Sequence, residues 1–178
     1  MIRLFVAIDL PPDVLELLAA ISYGLAGAKW VESDQLHLTL RFIGEVEGSR
    51  FMDIKEMLST VKTNQFPLRL KGIGHFPPRK APRVIWIGID KNEALQRLRA
   101  KIETTLVKGG LPPEGRKYSP HITIARLKNT PTVKVGNFMA ANALFTSEPF
   151  QVENFYLYSS KLTPKGAIHT IEATYPLS

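Results

Sequence analysis

The sequence predicts an α+β chain made of two similar lobes, and three observations carry that prediction. Short apolar runs alternate with helical stretches, separated by turn signals. One strand–helix–strand pattern occurs twice. Arg3-Leu-Phe-Val-Ala-Ile-Asp9 leads through a helix to His37-Leu-Thr-Leu40, and Arg83-Val-Ile-Trp-Ile-Gly-Ile-Asp90 leads through a helix to His121-Ile-Thr-Ile124. The Asp-to-His separations are 28 and 31 residues, a difference that one loop absorbs. No Ser- or Gly-rich linker divides the halves, so residues 1–178 are read as one bilobal domain. Its lobes fall at about 1–80 and 81–178 and are related by a pseudo-twofold axis, with room for strands to be exchanged between them.

The elements follow in order. Residues 3–9 form a mostly apolar strand. Pro11 and Pro12 open a helix, where a missing N–H costs nothing. Val14, Leu17, Leu18, Ile21 and Leu25 recur along it at helical spacing. A strand at 36–43 precedes a helix at 49–62 that sets Phe51, Ile54, Leu58 and Val61 on one face. Residues 66–73 alternate as a strand, and residues 75–82 make a stiff basic loop with Pro77, Pro78 and Pro82. After a strand at 83–90, Asp90 and Glu93 fit a capping box for a helix carrying Leu95, Leu98, Ile102 and Leu106, which Gly109-Gly110 ends. A strand at 121–127, a short helix near 136–144, and two strands at 150–159 and 167–175 joined through Pro164-Lys165-Gly166 complete the chain.

Composition narrows the function. Cysteine is absent, which excludes disulfides, thiolate catalysis and cysteine-bound metal centres. No apolar run approaches the roughly 18 residues of a membrane span, and the N-terminal stretch is too short for a signal peptide, so the chain is read as cytoplasmic. The net charge is +7, and its distribution is uneven: residues 57–89 and 115–147 contain no acid at all. Such stretches suit a polyanionic partner.

The two His-x-Thr-x tetrapeptides carry the chemistry. Side chains alternate along a strand, so His37 and Thr39 share one face, as do His121 and Thr123, while the apolar residues between them face the core. A pseudo-twofold axis brings both pairs into one cleft. Chance places two such pairs in roughly 3 sequences per 100 of this composition, before any match of context is required. One neutral imidazole and one imidazolium supply a base and an acid near neutral pH, and two hydroxyls suit the oxygens of a phosphate. Together with the basic stretches, this describes metal-independent phosphodiester chemistry. No glycine-rich phosphate loop is present, and no cluster of acids suits magnesium. His75 and His169 lack the pattern and are read as ordinary surface or loop residues.

These paired motifs, the opening from Arg3 to Pro11, Phe76-Pro-Pro-Arg-Lys-Ala-Pro-Arg-Val-Ile-Trp86, Ser119-Pro-His-Ile-Thr-Ile-Ala-Arg126 and Tyr158-Ser-Ser-Lys-Leu162 resemble the RNA 2′,3′-cyclic phosphodiesterases, also called 2′-5′ RNA ligases, of the two-histidine phosphoesterase superfamily. The resemblance implies the bilobal fold of that superfamily, with sheets flanking a central cleft. It implies opening of a 2′,3′-cyclic phosphate RNA end to a 2′-phosphate, and 2′-5′ joining in reverse, without cofactor or metal. Under it, His37 protonates the departing 3′ oxygen, His121 activates water, and Thr39 and Thr123 hold the phosphoryl oxygens. The partner is RNA with cyclic ends, such as tRNA halves, and a monomer suffices. A non-catalytic module that grips a terminal phosphate is the competing reading.

Three further residues are expected at the substrate. Arg41 shares the strand parity of His37 and therefore borders the cleft. Arg126 has the opposite parity unless the strand bulges, and the resemblance nevertheless puts it near substrate. Phe76, in the proline-rich loop, is the expected base contact. Phe5 and Trp86 lie mid-strand and are read as core.

Overall fold

The computed structural model describes residues 1–178 and contains two four-stranded antiparallel sheets, a two-stranded ribbon and four α-helices. In chain order these are β1 (Ile2–Asp9), α1 (Pro12–Ile21), β2 (Ala28–Trp30), β3 (His37–Val46), α2 (Gly48–Leu58), β4 (Phe66–Leu68), β5 (Leu70–Phe76), β6 (Val84–Ile89), α3 (Glu93–Lys108), β7 (His121–Leu127), α4 (Thr132–Ala141), β8 (Phe150–Val152), β9 (Asn154–Thr163) and β10 (Gly166–Pro176). One sheet has the order β10-β9-β1-β3 and the other β2-β7-β6-β5, with β4-β8 as the ribbon. Each sheet therefore draws strands from both halves of the chain. The C-terminal hairpin β9–β10 completes the N-terminal sheet, and β2 and β5 complete the other.

The core lies behind the two sheets. Leu4, Val6 and Ile8 of β1, Leu38 and Leu40 of β3, Ile85 and Ile87 of β6, and Ile122 and Ile124 of β7 are all buried in one apolar cluster. Val14 and Leu18 of α1, Ile54 and Leu58 of α2, and Leu95, Leu98, Ile102 and Leu106 of α3 join them. The alternate strand residues are left for the opposite faces of the sheets.

Four local features depart from the sequence reading. The strand expected at 66–73 breaks at Arg69, so β4 pairs with β8 while β5 pairs with β6 and runs on to Phe76. The strand expected at 150–159 divides in the same way into β8 and β9. At α3 the cap is Asn92 rather than an Asp90–Glu93 box. Its Oδ1 accepts from the Leu95 amide at 2.9 Å, and its Nδ2 donates to the Pro67 carbonyl at 2.7 Å. Helix α4 begins at Thr132, just after Pro131, and so ends before Leu144.

The duplication has a shared irregularity. In β1–β3, Val6 faces Arg41 but Ala7 faces Thr39, leaving Leu40 as an extra residue. In β6–β7, Ile85 faces Ala125 but Trp86 faces Thr123, leaving Ile124 extra. Each lobe thus carries a β-bulge immediately after its His-x-Thr. The registers also correct the equivalence read from the sequence. Asp9 faces His37, whereas His121 faces Gly88, so Asp90 is not the counterpart of Asp9.

Candidate active site

Strands β3 and β7, which carry the two tetrapeptides, lie in different sheets but contact each other. His121 Nδ1 lies 2.8 Å from the Ser119 carbonyl, two residues back. For His121, donation from Nδ1 to this carbonyl leaves Nε2 as the free nitrogen.

The bulges decide where the arginines go. Before the bulge, His37 and Thr39 share one face, as expected; after it, parity is inverted. Leu40 and Arg41 are both buried, and the exposed side passes to Phe42. Arg41 therefore does not border the cleft, contrary to the parity reading. Its side chain is 6% exposed, with Nε 3.0 Å from Glu103 Oε1, Nη1 donating to the Phe42 carbonyl and Nη2 to the Pro112 carbonyl, each at 2.5 Å. Every face of the guanidinium is committed to protein. In β7 the same inversion buries Ala125 and turns Arg126 outward. It stands in a cross-strand row with Val84 and Phe76, on the face that carries His121.

Aromatic rings surround both histidines. Phe76 meets His121 edge-on with centroids 5.2 Å apart, and Trp86 lies 6.3 Å from His121. Trp86 sits over Gly74, its cross-strand partner, where a Cβ would fall 2.1 Å from the indole, so only glycine permits this placement. On the other side, Phe5 stacks on His37 at 4.8 Å and on Tyr158 at 5.1 Å. Phe5 is buried, but in a small cluster with Ala7 and Tyr158 that is separate from the main core. Phe5 is core, as read, within that small cluster, and half-buried Trp86 packs beside His121.

His169 is the residue that sequence reasoning missed. It belongs to β10, yet its ring lies 5.1 Å from that of His37 and 5.0 Å from Phe5, edge-on to both. Gln35 Nε2 donates to the Ala167 carbonyl, which fixes the hairpin β9–β10 against the segment ahead of His37. No spacing signal announces this contact, because it depends on how a hairpin far along the chain curls across the sheet.

Burial, and after it the proximity of His169, push the pKa of His37 down to about 4, with the Gln35 bond acting the other way. Burial also lowers His169, opposed by Asp34. His37 is thus neutral in the free protein at pH 7. The Tyr158 phenol is pushed up by burial and by its hydrogen bond to Asp9, so it stays a donor. No three His, Cys, Asp or Glu side chains stand close enough together to hold a metal ion.

Aromatic rings thus stand beside each motif histidine, and Arg126 is exposed on β7. Residues 5–163 match the 2'-5' RNA ligase superfamily. The RNA 2',3'-cyclic phosphodiesterase of Archaeoglobus fulgidus is 36% identical over 174 residues, spanning 94% of this chain and 96% of that protein. Its namesake from Thermotoga maritima is 34% identical over 176 residues, spanning 95% and 92%. Among solved structures, TT0787 of Thermus thermophilus superposes with a TM-score of 0.81 at 28% identity, covering 98% of this chain and 97% of that one. The apo form of E. coli LigT shares the fold at the same TM-score. With its two His-x-Thr-x strands inside the matched segment, the chain belongs to the 2'-5' RNA ligase superfamily.

Proposed function

We propose that this chain opens 2′,3′-cyclic phosphate ends of RNA to 2′-phosphates and, in reverse, joins RNA through a 2′-5′ bond. One observation supports this above the rest: two His-Thr pairs stand on contacting strands of the two sheets, each followed by the same bulge. The relatives named RNA 2',3'-cyclic phosphodiesterase support the same reading.

In the proposed mechanism, Thr39 and Thr123 hold the non-bridging oxygens as charge builds on phosphorus. One histidine takes a proton from water and the other gives one to the departing 3′ oxygen. The family resemblance makes His37 the donor. His37 is neutral in the free protein, so it must take up a proton from solvent as the anionic substrate binds, since the phosphate favours imidazolium. Arg126 contacts phosphate, and Phe76 stacks on a base. Arg41 is not part of this set; it supports the site from behind. Both pairs come from one chain, so a monomer suffices, working in the cytoplasm on cyclic-ended fragments such as tRNA halves.

The test is incubation with a short RNA ending in a 2′,3′-cyclic phosphate, with and without excess EDTA, and mapping of the product phosphate. A 2′-phosphate formed equally in EDTA is the expected result. Binding without turnover, or a 3′-phosphate product, would overturn the proposal.

A further inference from the structure

His75 and Phe76 are consecutive residues of β5, so their side chains leave opposite faces of the sheet. Phe76 touches His121 in the cleft. His75 pairs across the strands with Ile85, whose side chain lies in the core behind the sheet. There His75 lines a second groove of about 590 Å³, between the loop after β5 and helix α4. Arg79 and Lys80 form one wall; Val135, Gly136 and Met139 form the other. A groove of this size is in the range that takes a nucleotide-sized ligand.

Its charge has one sign. The loop lies in the acid-free stretch 57–89 and α4 in the acid-free stretch 115–147, and neither Arg79 nor Lys80 makes an ion pair. The α4 wall carries Val135 and Met139, the latter an adaptable surface for a flat ring. β5 is the outer strand of its sheet, and its one bridge on that outer side, Lys71 to Thr146, lies at the end away from Phe76. A strand of RNA leaving the cleft at Phe76 therefore reaches the groove by crossing a single strand edge.

We propose that this groove is a second RNA-binding site, which takes a phosphate and a neighbouring base of the RNA body upstream of the cyclic end. The proposal rests on the reading that the RNA end sits in the cleft. Arg79 and Lys80 hold the phosphate, and the apolar wall of α4 receives the base. Continuity with the cleft, one residue away along β5, favours RNA over an acidic polypeptide as the occupant.

Two variants test it. Arg79→Ala with Lys80→Ala removes the charge. Gly136→Trp fills the groove without changing charge, since nothing lies within 4 Å of a Cβ placed there. For a cyclic-ended single strand of about 12 nucleotides, each should raise KM about five- to tenfold and leave kcat within about twofold. For a cyclic-ended dinucleotide, both constants should hold. The double alanine variant should also lower the salt slope of 12-mer binding by about one to two. An unchanged KM for the 12-mer in Gly136→Trp, or an equal loss on the dinucleotide, would overturn the proposal. Binding of a non-cyclic 12-mer, followed by fluorescence anisotropy, separates this from failure of the enzymatic reading. If the wild type opens no cyclic phosphate, the loss of anisotropy in the two variants still decides the groove.

Discussion

The phenol of Tyr118 donates a hydrogen bond to the backbone carbonyl of Thr39 at 3.0 Å. Tyr118 stands three residues ahead of His121, so the approach to one motif is fastened to the strand that carries the other. The Arg99 guanidinium lies 5.2 Å over the Tyr118 ring and reaches Glu103, which also takes Arg41 from β3. Burial works against the Glu103 carboxylate, but the Glu114 amide and the two arginines outweigh it and hold its pKa below the usual value. This strut ties the approach to the second motif to the strand of the first.

Tyr118→Phe should therefore act on turnover more than on binding. It keeps the ring and the cation–π contact but leaves a carbonyl unpaired, a cost of about 1 kcal/mol. We expect kcat on a cyclic dinucleotide to fall about three- to tenfold with KM within about twofold. Steady-state kinetics beside a thermal melt would check this, and an unchanged kcat would remove Tyr118 from the positioning network.

The two arginines should separate cleanly. Arg41→Met takes one of two arginines from Glu103 and leaves the Phe42 and Pro112 carbonyls without their donor, and should destabilise the fold by about 2–3 kcal/mol, with activity lost in proportion to folded protein. Arg126→Ala, on the exposed side of β7, should leave the melting temperature within a degree or two and raise KM several-fold. Denaturant titration paired with kinetics distinguishes them; a KM effect without destabilisation for Arg41→Met would return it to the cleft.

The depressed pKa of His37 ties stability to acid. Its folded value, about 4, lies below the ordinary 6.5, so the unfolded chain binds the proton more readily. Stability from this group is intact above pH 6.5 and is lost as pH falls from there towards 4, on the order of 2–3 kcal/mol. His37→Gln should lack that component. Melts of both proteins at pH 7 and pH 4.5 should show the wild type losing more; parallel losses would mean that burial does not hold His37 neutral.

The division of labour between the histidines can be read from a leaving group. A cyclic-phosphate analogue whose 3′ leaving oxygen needs no proton should restore activity to His37→Ala and leave His121→Ala inactive. On the natural substrate each alanine should cost on the order of 10²- to 10⁴-fold, with the double variant little worse. Rescue of His121→Ala instead would exchange the two roles. That outcome would fit a His37 that enters the reaction neutral.

The sequence by itself determined the strand–helix duplication, because apolar periodicity and paired His-x-Thr motifs are local patterns. Strand alternation sufficed to put His37 with Thr39 and His121 with Thr123 on common faces, and the adjacent Pro and Gly residues marked most element ends. What lies beyond each motif follows from long-range packing. A bulge is a property of two strands in register, so nothing in Leu40 or Ile124 announces that Arg41 turns inward while Arg126 turns out. His169 reaches His37 through the curl of a hairpin, and the packing of Phe5 on His37 and of Trp86 beside His121 follows from which strands pair. Side-chain direction within a strand is local, but which residues meet across strands depends on register and sheet curvature, and these are set by the packing of the whole chain.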